Sequence, residues 1–181
     1  MGQVIEYTLV SADGAFSGDR FGELMTFRDD AYLRDGLGLL AASHAMLYGR
    51  RVYESFAQRW PGRDHPWAER LNNIPKYVFS STIEEAPWGP ATIVRTDPVA
   101  EVRRLKEETA GDLLIFGHTK LAESLMRAGL IDILDLSVHP VFFGGGGLLM
   151  REGLCADLEL VSAKAFSKIV KLSFKVGAPR S

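Results

Sequence analysis

The segment that most constrains this fold is Leu113–Phe116, a run of four large apolar residues that ends at Gly117. A run this short and this apolar is typical of a β-strand buried on both faces. Thr119 is a residue type that caps helices, and Leu121 and Leu125 follow at helical spacing. A strand that turns through glycine into a helix leaves unpaired backbone N–H groups, which bind phosphates and other anions. The segment therefore predicts either an anion site or an ordinary strand-to-helix connection.

Strands and helices alternate along the chain to about residue 138, and strands alone complete it. The predicted strands cover residues 4–10, 45–48, 76–79, 92–95, 113–116 and 132–139. Alternating apolar residues from Leu158 to Val176 predict a closing antiparallel hairpin that turns near Ser167. This order predicts an α/β fold in three layers, with a mostly parallel mixed sheet and a C-terminal antiparallel hairpin. We expect one domain spanning residues 1–181.

The composition is that of a globular protein with a sizeable core. Hydrophobic residues make up 46% of the 181 residues and charged residues 24%, which argues against disorder. The net charge of −2 provides no basic footprint for nucleic acid. No apolar run approaches the ~20 residues of a membrane helix, and Met1–Val4 does not resemble a signal peptide. Cys155 is the only cysteine, which excludes an internal disulfide and favours the cytoplasm.

Isolated titratable residues give weaker signals. The histidines share no spacing typical of metal ligands, so we predict no metal site. His139 alternates away from the apolar side of its strand, which favours a solvated or partner-facing position. Asp29 and Asp30 begin a predicted helix, where carboxylates are stabilised, so capping is favoured over substrate binding.

Three predicted strands end in segments of similar chemistry. These segments are Gly49-Arg50-Arg51, Ser80-Ser81 and Gly117-His118-Thr119. Ligands of open α/β sheets bind at the carboxyl ends of strands. Backbone N–H groups there suit a diphosphate, and arginine holds phosphate with bidentate planar donors. The three segments indicate a dinucleotide site with room for a 2′-phosphate, although Arg50 and Arg51 would also suit a solvated helix start.

Several segments resemble proteins with the dihydrofolate reductase-like fold. They are Ser11-Ala12-Asp13-Gly14, Leu47–Glu54 and Pro75–Ser81. The segment Gly129–Val141, followed by the run Gly144–Gly147, resembles the branch that contains the C-terminal reductase domain of the riboflavin-biosynthesis enzyme RibD. The ordered set covers nearly the whole chain and is specific for the superfamily, but not for one substrate.

The resemblance implies NADPH as the hydride donor. It assigns Gly49, Arg50 and Arg51 to the phosphates on the adenosine side, Ser80 and Ser81 to the ribose 2′-phosphate, and Gly117, His118 and Thr119 to the diphosphate. This chain departs from the family at Val52, where threonine is common, and at His118, where glycine or serine is common. Because histidine is larger, His118 must either point away from the cofactor or contact it.

The resemblance also implies a substrate-binding region. Asp13 and Gly14 belong to the loop near the nicotinamide, and the proton comes from water or from Asp13. Gly144 and Gly145 belong to a tight turn beside the substrate pocket, where bare backbone approaches a ligand closely. A homodimer is expected, formed through residues 132–139 and the C-terminal hairpin.

Three functions stay open from the sequence. The first is an NADPH-dependent reductase of a small flat heterocycle, a pterin or a ribosylamino-pyrimidine, similar to 5-amino-6-(5-phosphoribosylamino)uracil reductase. The second is a true dihydrofolate reductase, although Asp29, Asp30 and Asp35 give no clear match to the acidic residue that such enzymes carry on their first long helix. The third is a module that binds a nucleotide without turnover.

Overall fold

The computed structural model describes residues 2–149 and 155–180, and these form eight strands and five α-helices. The strands are β1 (Val4–Ser11), β2 (Ala45–Gly49), β3 (Lys76–Phe79), β4 (Ala91–Val94), β5 (Leu113–Phe116), β6 (Ile133–His139), β7 (Ala156–Ala165) and β8 (Val170–Pro179). The helices are α1 (Asp30–Ala42), α2 (Arg50–Arg59), α3 (Pro66–Asn73), α4 (Pro98–Glu108) and α5 (Lys120–Arg127). The sequence predicts a loop over residues 15–25, but a 3-10 helix covers Phe21–Phe27 and so begins inside that segment.

All eight strands join one sheet in the order β4-β3-β2-β5-β1-β6-β8-β7. The pairings from β4 to β6 are parallel, and β8 pairs antiparallel with both β6 and β7. The predicted mostly parallel sheet with an antiparallel C-terminal hairpin is therefore confirmed. Because β1 to β6 are parallel, their carboxyl ends lie at one edge of the sheet.

Apolar side chains fill both faces of the central strands. Val102, Leu105 and Leu125 of α4 and α5 pack on one face against Leu113 and neighbouring strand residues. The other face is covered by α1, α2 and α3, which contribute the buried side chains Tyr32, Leu40, Tyr53 and Leu71. This arrangement confirms the three layers, and the apolar run of β5 is buried as its composition predicts.

The polar residues of β6 do not have the solvent exposure that their alternation predicts. Its polar residues Asp135, Ser137 and His139 are buried, whereas Leu136 and Val138 are only half-buried. The prediction of a solvated His139 is therefore wrong. Alternation correctly placed these side chains on opposite faces, but α1 covers the polar face, where the Tyr32 ring packs against His139.

Candidate functional site at the carboxyl edge of the sheet

Residues from every predicted site segment lie at the carboxyl edge of five neighbouring parallel strands. Ser80 follows β3, Gly49 ends β2 and Gly117 follows β5, and these three strands are adjacent in the sheet. Asp13 follows β1, and the glycine run that begins at Gly144 follows β6. The sheet order therefore gathers the predicted dinucleotide segments on one side and the predicted substrate segments on the other.

The helix α2 begins directly where β2 ends, with Gly49 as its N-cap. Of the five α-helices in the described residues, α2 alone has no side chain capping its N-terminus, and its first turn contains no acidic residue. Its first residues are instead Arg50 and Arg51. Arg50 is paired with Glu54, since its Nε donates to Glu54 Oε1 at 2.8 Å. The backbone N–H groups of the first turn and the exposed Arg51 still leave positive charge that an anion would neutralise.

The loop after β3 is held in place by its own serine and by two arginines. The Ser80 hydroxyl accepts the backbone N–H groups of Thr82 (3.1 Å) and Ile83 (3.0 Å), so this side chain shapes the loop. Arg50 Nη1 donates to Thr82 Oγ1 at 2.7 Å, and Arg95 Nη2 donates to the Ile83 carbonyl at 2.8 Å. The exposed Ser81 thus lies in a loop gripped by Arg50 and Arg95.

The turn after β5 leads through Gly117 into the first turn of α5. Gly117 has φ of +80°, a conformation that residues with a side chain rarely adopt. Thr119 caps α5 by accepting the N–H of Ala122 at 3.2 Å. Because Thr119 takes the N–H of Ala122, the N–H groups of Lys120 and Leu121 are the ones in the first helical turn that a ligand could use.

His118 in this turn points into the protein. It is 3% exposed, and its Nδ1 lies 2.8 Å from Oε1 of Glu6, which is completely buried on β1. Thr8 donates its hydroxyl hydrogen to the same oxygen at 2.9 Å, and the Phe16 ring packs edge-on against the imidazole. The histidine therefore points away from the ligand edge, which is one of the two outcomes that its size allows.

Asp13 joins the loop after β1 to the turn after β6. Its carboxylate accepts the N–H of Gly144 at 2.8 Å and of Phe143 at 3.1 Å, and it also accepts the Ser11 hydroxyl. The bonds from Ser11, Gly144 and Phe143 lower the pKa of Asp13 to about 2. A carboxylate that stays ionised at neutral pH is a poor proton source, so this geometry disfavours Asp13 as the proton donor.

The glycine run after β6 divides into a packed half and an open half. A Cβ atom on Gly146 would lie 2.2 Å from the Ser17 carbonyl oxygen, so only glycine fits there. Gly144 and Gly145 have no atom within 4 Å of the corresponding position. Gly145 lines a cavity of about 270 Å³ between this run and the segment 17–20. The open half thus presents bare backbone where the resemblance places the substrate.

Some contributors to this edge are absent from the sequence prediction. Arg95 and Thr82 hold the loop after β3, and Arg95 directly follows the buried end of β4. A basic residue just past a parallel strand is the signal that could have identified Arg95. The polar side chains of Tyr7 and Tyr32 meet beneath α1, and no local pattern predicts this contact.

The described residues show two further features of the chain. They contain no group of three histidine, cysteine, aspartate or glutamate side chains placed to hold a metal ion. None of their helices is both long enough and apolar enough to cross a membrane.

The architecture matches solved reductases of the dihydrofolate reductase-like class. Dihydrofolate reductase from Enterococcus faecalis, solved with NADP(H) and RAB-propyl, superposes with a TM-score of 0.64 at 15% identity, covering 97% of this chain and 96% of that one. The Thermotoga maritima diaminohydroxyphosphoribosylaminopyrimidine deaminase/5-amino-6-(5-phosphoribosylamino)uracil reductase superposes with a TM-score of 0.69 at 14% identity. That match covers 97% of this chain and 56% of the bacterial enzyme. At these identities the likeness establishes the fold.

The sequence places the chain within one branch of this class. It belongs to the RibD C-terminal domain family, whose pattern it matches over residues 3–172. Over 128 residues it is also 30% identical to YyaP, an uncharacterised protein of Bacillus subtilis (strain 168), with 67% of this chain and 68% of YyaP covered. The predicted family resemblance is confirmed, and reductase domains of this family make the chain an oxidoreductase in general terms.

Proposed function

We propose that this protein is an NADPH-dependent reductase of a small heterocycle and that it acts in the cytoplasm. The observation that carries the proposal is the uncapped, arginine-rich start of α2 beside the Gly117 turn, at the shared edge of β2 and β5. When bound, NADPH supplies a hydride, and the protein supplies binding, orientation and electrostatics.

The residues present at this edge fit that cofactor. Two positive helix starts, those of α2 and α5, suit the phosphates, with Gly49, Arg50 and Arg51 on one side and Gly117, His118 and Thr119 on the other. His118 would contact the phosphates through its backbone and not through its side chain, because its imidazole is buried against Glu6. We assign Ser81, together with Arg50, to the 2′-phosphate. Ser80 supports this role by shaping the loop.

The substrate we propose is an aminopyrimidine of the ribosylamino type, as in the family's uracil reductases. The carboxylates of α1 give dihydrofolate less support. Asp29 accepts the N–H of Tyr32 at 2.8 Å and caps the helix, and Asp30 is exposed. Asp35 is held by Lys164 and Lys171. Asp29 and Asp35 are therefore engaged by other groups, and the substrate side that we propose consists of Asp13, Gly14, Gly144 and Gly145.

The test of this function is NADPH oxidation monitored at constant cofactor with two substrates, 5-amino-6-(5-phosphoribosylamino)uracil and dihydrofolate. We expect turnover of the aminouracil and at most slow turnover of dihydrofolate. Preferential turnover of dihydrofolate would identify a dihydrofolate reductase instead. Binding of NADPH without oxidation across both substrates and a wider heterocycle panel would identify a nucleotide-binding module.

We also propose a homodimer formed through the open face of β6, β8 and β7. Register places Leu136 and Leu172 side by side on this face, with Leu160 beyond them. Leu158, Leu160 and Val170 are 44%, 57% and 43% exposed, an unusual exposure for large apolar side chains that share one surface. All three strands contribute apolar residues to this face, a composition suited to pairing with the same face of a second copy.

The dimer is tested by sedimentation of the wild type and of Leu160→Asp. We expect a wild-type dimer, and we expect the variant to sediment as a folded monomer because the new carboxylate would be buried without a partner. Lys164→Ala, on the opposite face of the same strand, is the matched control and should stay dimeric. A monomeric wild type at micromolar concentration would contradict the proposal.

A further inference from the structure

A cluster of polar side chains is buried under α1, on the neighbouring strands β1 and β6. Tyr7 comes from β1, Tyr32 from the first turn of α1, and Ser137 and His139 from β6. Their exposed fractions are 8%, 3%, 0% and 0%. Burying so many polar groups costs free energy unless they are paired or used, so the cluster requires an explanation.

The two tyrosine hydroxyl groups are directly hydrogen-bonded. Tyr7 Oη donates to Tyr32 Oη at 2.5 Å, which leaves the Tyr32 hydrogen free to point elsewhere. Burial raises the pKa of both tyrosines, so both stay protonated at neutral pH. The Ser137 hydroxyl faces the pair outside hydrogen-bond distance. The Tyr32 hydroxyl on α1 is thus a neutral hydrogen-bond donor, in a region where the carboxylates already bind other groups.

His139 adds an acceptor that has no partner. Its Nδ1 lies 3.0 Å from the Ser137 carbonyl oxygen and 3.2 Å from that of Val10, so Nδ1 carries the hydrogen. Burial lowers the pKa of His139, which keeps the ring neutral and leaves a lone pair on Nε2. Nε2 is buried and has no hydrogen-bond partner among the described residues. The rings of Phe27 and Tyr32 lie 6.2 Å from the imidazole, an aromatic surround that suits a flat ring.

The carboxylates near this cluster are held by other groups. Asp13 accepts backbone N–H groups of the turn after β6, and Asp29 caps α1. Asp35 and Asp135 both face the ammonium group of Lys171, which lies 3.7 Å from Asp135. The tyrosine pair therefore offers a neutral proton donor beside carboxylates that other groups already hold.

We propose that Tyr7, Tyr32 and His139 form the substrate-recognition and protonation site, in which His139 Nε2 accepts an N–H of the heterocycle and Tyr32 is the catalytic acid. This inference rests on the proposed reductase function. Addition of a hydride to a C=N bond of the substrate forms a C–H bond and leaves the former π electrons on nitrogen. The Tyr32 O–H bond breaks as the new N–H bond forms. The phenolate then takes the proton of Tyr7 across their hydrogen bond, and solvent returns a proton to Tyr7.

The test separates ring binding from the proton step. Calorimetry measures the affinity of the NADP⁺-loaded protein for 5,6-diaminouracil, a stable ring probe. Rapid mixing measures single-turnover oxidation of NADPH by 5-amino-6-(5-phosphoribosylamino)uracil. Both are applied to the wild type, Tyr32→Phe, Tyr7→Phe and His139→Leu, each first shown to be folded by its melting transition. Tyr48→Phe is the matched control, because it removes a hydroxyl that is also buried but has no hydrogen-bond partner.

We expect Tyr32→Phe to lower the single-turnover rate by at least about 100-fold with little change in ring affinity, as removal of a general acid does. His139→Leu should weaken binding of the ring by about tenfold, which corresponds to one lost hydrogen bond. Tyr7→Phe should slow turnover less than Tyr32→Phe, and Tyr48→Phe should change neither quantity.

Three results would overturn the inference. They are a Tyr32→Phe rate close to that of wild type, unchanged ring affinity in His139→Leu, or a wild type that binds NADPH but not the ring. A wild type that binds the ring through His139 without oxidising NADPH would instead refute the reductase function and the acid role of Tyr32. It would leave the recognition role of His139 standing.

Discussion

The Glu6–His118 pair predicts a large loss of stability when one partner is removed. Both side chains are essentially buried, and their contact is 2.8 Å long. In His118→Ala, the Glu6 carboxyl group keeps only the Thr8 hydroxyl as a partner inside the sheet. Because Glu6 Oε2 already has no partner among the described residues, the surroundings offer nothing to replace the imidazole.

The expected loss in free energy of unfolding is about 3–5 kcal/mol, the range for breaking a buried pair and leaving one member behind. Replacing both partners by apolar residues, Glu6→Met with His118→Leu, should cost less than either single change, because no polar group is then left unpaired. Arg20–Glu23 supplies the matched surface pair, with side chains 50% and 47% exposed. There Glu23→Gln should cost much less, because both side chains of that pair are largely solvated.

The measurement is urea unfolding at pH 7, followed by far-ultraviolet circular dichroism for the wild type, both single variants, the double variant and Glu23→Gln. The double-mutant cycle should give a coupling energy of at least about 2 kcal/mol. Strict additivity of the two single changes, or a His118→Ala loss no larger than that of Glu23→Gln, would refute the reasoning.

Two further predictions concern pH. Hydrogen bonds from Ser167, and then from the Tyr32 N–H, lower the pKa of Asp29 from 3.8 to about 2, so the folded protein binds fewer protons there than the unfolded chain. The resulting stability is complete above about pH 4 and is lost as the pH falls toward 2. The melting temperatures of wild type and Asp29→Asn should therefore converge over that window. A constant difference between the two melting temperatures would contradict this. Burial, and then the charge of Arg70, lowers the pKa of Lys76 from 10.5 to about 8, so this group adds stability as the pH rises. Between pH 7 and pH 10 the wild type should gain about 2–3 kcal/mol in free energy of unfolding relative to Lys76→Met, and equal pH slopes in urea unfolding would contradict it.

The strands, and the site segments that follow them, could be predicted because the local sequence pattern determines them. The apolar run of β5 matches the predicted strand residue for residue, and Thr119 caps α5 as its position indicates. The parallel sheet then follows from alternation of strands and helices, and parallel strands bring their carboxyl-end residues to one edge. Sequence reasoning could therefore predict that Arg50, Ser80 and Gly117 lie at a common edge.

Contacts between distant segments could not be predicted in this way. The burial of His139 depends on α1 lying over the polar face of β6, and the inward turn of His118 depends on Glu6, 112 positions earlier in the chain. Alternation identifies two faces of a strand, but it does not say which face a helix will cover. The Asp13 carboxylate likewise looks like a proton donor in sequence, whereas in the fold its hydrogen bonds with Ser11, Gly144 and Phe143 lower its pKa and make it an acceptor.

The central claim, a phosphate-recognising NADPH site at the edge of β2 and β5, is tested most directly by cofactor titration. NADPH and NADH are titrated by nucleotide fluorescence against wild type, Arg50→Ala and the control Arg59→Ala, which changes an arginine at the opposite end of α2. We predict that Arg50→Ala weakens NADPH binding by about 1.5–3 kcal/mol, the range for a hydrogen bond to a charged group, and NADH binding far less. Arg59→Ala should leave both affinities unchanged. Equal losses for the two cofactors, or no preference of the wild type for NADPH, would contradict the account.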